Sequence, residues 1–181
     1  MIEDVLKPSG TENGAGLKRT IYFGLAASVA TWPTLASSPT TYEDVMVHDA
    51  AIAMEIGEQM YSFYATIRKS SLESLSAGER GSKTAINRLQ IMRAEISPSV
   101  LGFIEQHKND EMVFIVEDLN GNPRILGTED LPAMFEEFSI PTGADVSDEK
   151  DVKITIESVG PIAKFYGTAA SPLAIPLTPA V

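Results

Sequence analysis

The sequence contains no cysteine and only two histidines, His48 and His107. The first absence excludes disulfides, thiolate zinc sites and cysteine nucleophiles. The second leaves no imidazole with a partner at metal-ligand spacing. Basic residues are also scarce: 14 Lys and Arg stand against 25 Asp and Glu, for a formal charge of −11. A groove that grips nucleic acid needs cations to neutralise phosphates, so this balance argues against one. It suits plain solubility, or a surface that nucleic acid passes without sticking. No uninterrupted apolar run approaches the roughly 18–20 residues that cross a bilayer. The opening "MIEDVLKPSGTENGAGLKRT" lacks the basic start and apolar run of a signal peptide. Synthesis in the cytoplasm and no membrane contact are therefore expected.

Motifs that carry chemistry are equally thin. "GERGSKT" (78–84) has the flavour of a phosphate-binding loop, but Ser82 stands where a glycine must precede the lysine. "DLNGN" (118–122) has the flavour of a calcium loop, but Gly121 falls at the fourth position instead of the sixth that such a loop needs for its sharp turn. It reads as a hairpin turn. His48 and Asp49 are adjacent, and neighbours on a strand point to opposite faces. No G-x-S-x-G nucleophile elbow is present. This inventory points away from an enzyme, and no cofactor is expected.

What is present is β-patterning. At 181 residues the chain suits one domain with extensions. Residues 1–17 mix glycine, proline and polar residues in the manner of an arm. A domain is expected over 18–166, and a second arm over 167–181. Ile21 and Phe23 alternate with Thr20 and Tyr22 as a strand. "TWPTLASSPTTYED" is a long loop anchored by Trp32, and the ambiguous "VMVHDAAIAMEI" (45–56) is assigned as strand. "MYSFYATIRK" (60–69) and "TAINRLQIMRAEI" (84–96) make the clearest pair of strands. Between them "SSLESLSAGERGSK" (70–83) reads as a long central loop, since it is too long and polar for a tight turn. Pro98 at a helix start with Val100, Leu101, Phe103 and Ile104 predicts one helix, ending near "HKND". A buried strand at Val113–Val116, a turn at Asn120-Gly121 and a return over Arg124–Leu126 follow. "AMFEEFSI" and "DVKITIESV" are two more strands. The expected fold is mainly β: a sandwich or barrel with one flanking α-helix, a long central hairpin loop and extended terminal arms.

The last eleven residues, "SPLAIPLTPAV", are apolar and punctuated by Pro172, Pro176 and Pro179. If extended, they place Leu173, Ile175 and Leu177 on one face. Pro172 and Pro176 lack N–H groups on one side, while those three residues keep theirs on the other. Such a segment can add to a sheet along one edge only. Leu173, Ile175, Leu177 and Val181 in the arm, with Leu72, Leu75, Arg80 and Lys83 in the central loop, are the candidate contacts with other copies. Docking of the arm back onto its own domain is the alternative. Deleting 171–181 is expected to abolish polymerisation and leave the domain folded.

The second half resembles the tail tube and related tail-structural proteins of phages that infect Bacteroidetes-type bacteria, a group related to the tube proteins of contractile injection systems. The resemblance rests on Asp118, Asn120 and Gly121 in the hairpin, Leu126 and Gly127 after it, Thr142 and Gly143 in a loop, and Pro161, Ala163 and Tyr166 after the final strand. It implies a β-sandwich subunit in hexameric rings, stacked into a tube whose acidic lumen lets DNA slide without specific binding. It also implies contacts with other tail proteins, a place in the virion tail after synthesis in the host cytoplasm, and no catalytic residues. The competing expectation is a small β-barrel binding module or enzyme with its arms folded back and a pocket using His48, Tyr61 or Arg88.

Overall fold

A computed structural model describes residues 14–142 and 150–180. The chain forms strands β1 (Leu17–Leu25), β2 (Val29–Thr31), β3 (Ala53–Met54), β4 (Tyr61–Tyr64), β5 (Ser71–Ala77) and β6 (Thr84–Arg93), then helix α1 (Pro98–His107). Strands β7 (Met112–Asp118), β8 (Pro123–Leu126), β9 (Met134–Ser139) and β10 (Val152–Gly160) complete it. Two four-stranded antiparallel sheets result, ordered β4-β1-β7-β8 and β5-β6-β10-β9, with β2 and β3 as a separate small pair. Among the described residues the fold is mainly β with a single α-helix, compatible with a β-sandwich.

Two cores explain the hydrophobic pattern. The larger lies between the sheets, where Ile21, Phe63, Phe114 and Val116 of the first meet Leu89, Ile91, Ile154 and Ile156 of the second. Val100 and Ile104 of α1 enter the same core, and Phe103 packs on Phe23, Phe63 and Phe135. The smaller core lies on the far face of the first sheet. There Val113, Ile115 and Ile125 meet Ile52, Met54, Met60 and Tyr166, with Trp32, Leu173 and Ile175 packed against them. Strand β7 is thus covered on both faces. That is why Met112 to Val116 is five apolar residues in a row rather than an alternating pattern.

Turn chemistry fixes the β7–β8 hairpin. The Asp118 carboxylate accepts the backbone N–H groups of Asn120 and Asn122, each at 2.9 Å, and Gly121 takes the left-handed φ of 89° that the turn requires. Gly127 is needed for a different reason. Met112 and Ala133 exchange two backbone hydrogen bonds of 2.8 Å beside it, and an added Cβ would lie 2.9 Å from the Met112 oxygen.

The structure corrects four expectations. Residues 45–56 are mostly irregular, with only Ala53–Met54 as strand. The remainder is held by single bridges, Leu35 to His48 and Val47 to Phe165. The strand expected over 60–69 stops at Tyr64, and Arg68 has a positive φ of 61°. It forms no ladder with 84–96, because β4 and β6 belong to different sheets, and only Thr66 beyond its end hydrogen-bonds to Met92 and Ala94. Most importantly, the long central loop does not exist. Residues 71–77 are strand β5, joined to β6 by the turn at 78–83.

His48 sits in the irregular segment with its Nδ1 buried and unpartnered. Burial, first, and the Lys164 charge hold its pKa below 6.5, against the raising effects of the Thr34 backbone and Asp49. Between that depressed value and 6.5 the unfolded chain binds more protons than the folded one. The contribution of His48 is therefore complete above pH 6.5 and lost as pH falls below it. Thermal unfolding of wild type and His48→Gln at pH 7.5 and pH 5 should show the smaller acid-induced drop in the variant.

Candidate assembly surface

The residues expected to meet other copies fall into two separate regions. Leu173, Ile175 and Leu177 lie in a terminal segment that runs along its own domain. The buried Tyr166 hydroxyl donates to Ala174 O at 2.6 Å and accepts Ile52 N–H at 2.9 Å. Burial pushes the phenol pKa up, and the Ile52 N–H pulls partly against it. Met60 N–H donates to Pro176 O, Gly57 N–H to Ala180 O, and Ala180 N–H to Glu58 O. Leu173 and Ile175 are half-buried in the smaller core, whereas Leu177 is exposed. Val181 lies outside the described residues. The segment is extended, as expected, but on this chain's own body. Its bonds also use the side marked as blocked, because a proline that lacks an N–H keeps its carbonyl, and Pro176 serves as an acceptor.

The other four residues lie on β5 and its turn. Leu72 packs against the larger core. Leu75 is 43 % exposed, and Arg80 and Lys83 are exposed in the turn, where Lys83 Nζ donates to Gly78 O at 2.6 Å. The polar composition of β5 has a local cause. Buried Asn87 of β6 accepts the Ser74 hydroxyl at 2.6 Å and Ala163 N–H at 2.8 Å, and donates to Pro161 O at 2.7 Å and Ser158 O at 3.4 Å. Serine faces the core there because an amide, not a hydrocarbon, is opposite.

Strand β5 forms one edge of its sheet and β9 the other, and neither has a further strand beside it among the described residues. The first sheet is managed differently. Beyond β8, Ile125 N–H donates to Lys164 O, and Tyr166 N–H to Pro123 O, so the chain's own residues cover that edge. Its other edge, β4, is four residues long. On β9, Met134 is 42 % and Phe138 45 % exposed, and a register shift at Thr155/Ile156 makes room for Glu136. Sequence reasoning finds β9 as a strand but does not place its residues in an interface. The pair Glu136-Glu137, which breaks alternation in a strand that also carries Met134, Phe135 and Phe138, is the available signal of an edge.

The outward face of this sheet is acidic. Across it Glu73, Arg88 and Glu157 lie in register on β5, β6 and β10. Arg88 Nε donates to Glu157 Oε1 at 2.6 Å, and Glu73 stands 4.0 Å from the guanidinium. The hydrogen bond and charge of Glu157, then the charges of Glu73 and Glu136, raise the Arg88 pKa further. With Glu136 and Glu137 of β9 exposed and Lys153 the other cation, carboxylates outnumber bases on these strands' solvent side. The three residues of the competing pocket are not brought together: His48 is in the loop, Arg88 is on this face, and Tyr61 is at the far sheet. No protein-family model, curated protein or solved structure matches the chain.

Proposed function

We propose that the protein is a non-enzymatic structural subunit that assembles through the β5 and β9 edges into closed rings, stacked as a tail tube or tail-like conduit for DNA. The observation that carries this reading is the pair of open edges on one four-stranded sheet. Every neighbour in β5-β6-β10-β9 is antiparallel, so β5 and β9 run in opposite directions. Copies related by rotation about an axis along the strands would bring β9 of one beside β5 of the next in antiparallel register. Such head-to-tail contacts make rings when the rotation closes. The sheet's outward acidic residues would then face one surface of the ring. If that surface is the lumen, it offers a phosphate backbone little to bind. The resemblance in the second half supplies the further content of the proposal: six copies per ring, contacts with other tail proteins, and a place in a phage tail.

The absence of cysteine gives a clean test. Cysteines at Ser71, Glu73 or Leu75 on β5, each combined with Glu137→Cys on β9, should yield a ladder of dimers, trimers and larger species on oxidation in at least one combination. The corresponding single variants should stop at dimers. Rings or tubes in electron micrographs of the wild type are expected alongside. A solitary protein at high concentration with no ladder from any combination overturns the reading. The terminal segment folded on its own domain favours the second reading, a binding module that acts alone.

A further inference from the structure

A cavity of about 460 Å³ opens where β1 ends and β4 begins, beside the C-terminal end of α1. It lies away from β5 and β9, so its occupancy does not depend on the edge contacts. Two aromatic rings form part of its wall, Phe23 and Tyr61, with centroids 6.0 Å apart. Tyr61 is 50 % exposed, so one ring is open to an incoming group. His107 is held by its Nδ1, 2.8 Å from Asp110 Oδ2. An ionised carboxylate only accepts, so the ring proton sits on Nδ1 and a neutral imidazole keeps Nε2 as an acceptor. Glu58, Gln59 and Gln106 also line it, residues whose side chains carry a carboxylate and two amides. Among the described residues, no lysine or arginine lines the cavity. The adjacent Lys108 is paired with Glu105 at 2.7 Å.

We propose that this cavity binds an alkyl guanidinium. A guanidinium is planar, weakly hydrated and always charged, and it stacks on aromatic faces while donating in its own plane. The cavity offers both halves of that chemistry: aromatic rings for the face, and a carboxylate with amide oxygens for the N–H groups. An ammonium is compact and strongly hydrated, and uses the rings less well. An arginine side chain on another copy and a free guanidino compound share this chemistry. One candidate from a second copy is Arg80, which is exposed in the β5–β6 turn and makes no ion pair among the described residues.

Titration of the full-length, isotopically labelled protein with Nα-acetyl-arginine amide tests the site. Saturable chemical-shift changes centred on Phe23, Tyr61 and His107 are expected. The neutral isostere Nα-acetyl-citrulline amide should bind at least about tenfold more weakly, and Glu58→Gln, a surface change that leaves the fold intact, should weaken the arginine probe by about tenfold. Equal binding of the two probes, no binding, or shifts scattered away from the cavity overturns the proposal. Shifts at the cavity on concentrating the wild type that vanish in Arg80→Gln assign the guanidinium to a second copy. Their absence, with probe binding intact, assigns it to a separate guanidino ligand.

Discussion

Asn87→Leu is expected to destabilise the protein by about 3 kcal/mol or more, although leucine matches asparagine in branching and in number of heavy atoms. The native amide is only 2 % exposed and makes four hydrogen bonds. They join β5, β6, the end of β10 and the segment after it. Leucine would satisfy none of them, leaving Ala163 N–H, the Pro161 and Ser158 carbonyls and the Ser74 hydroxyl without that partner. A buried polar group stranded in this way costs about 1–3 kcal/mol, and several share the site. For a domain of this size 1 kcal/mol corresponds to roughly 2–4 °C, so the melting temperature should fall by roughly 6–12 °C. Urea unfolding of wild type and variant measures the same quantity. A loss below about 1 kcal/mol would mean that the network relaxes or hydrates without cost. Hydrogen exchange should locate the damage at β5, whose Ser74 is tied to Asn87, and assembly through that edge should weaken with it.

Deletion of residues 171–181 is the second large effect. The larger core contains none of the described residues of this segment, so the sandwich should remain folded. The smaller core would lose Leu173 and Ile175 from its surface, the Tyr166 hydroxyl would lose Ala174 O, and the 57–60 segment would lose its backbone partners. After the entropy regained by the freed residues offsets part of this, a net loss of about 2–4 kcal/mol is expected. Binding of a hydrophobic dye to the newly exposed Met60, Ile115 and Ile125 should accompany it. Sequence alone leads to a different expectation: loss of polymerisation, with the domain left folded. With the segment on its own domain, the truncated protein should unfold more easily and yet still assemble through β5 and β9. Unchanged stability with assembly abolished would instead place the segment on a neighbouring copy.

The elements legible in the sequence are those whose signal is local. The Asp118–Asn122 turn, the proline-started helix, the apolar run of β7 and the alternation of β10 each follow from nearby residues, and each is found where expected. Strand β5 escapes such reading because its pattern answers to distant partners. Leu72 and Leu75 are three apart and so face opposite ways, and Ser74 faces the core to meet Asn87 on the next strand. The terminal segment misleads for a related reason. Counting N–H groups correctly identifies a one-sided strand, but the docking surface at 56–60 offers mostly donors and takes the carbonyls instead. The edge character of β9, and with it Met134 and Phe138, requires knowing which strand lies beside which.

The order of the strands carries a kinetic consequence. Ile21 lies opposite Val116 and Leu89 opposite Ile156, so the inner pairings of both sheets join positions far apart in the chain. Closing such large loops precedes any gain from the contacts they allow, and domains of this kind fold in milliseconds to seconds rather than microseconds. The β5–β6 hairpin, by contrast, can form early from neighbouring residues. Newly made chains would therefore spend time with a completed hairpin and an unfinished sheet. At high concentration, refolding yield should depend on how quickly β10 arrives to take its place.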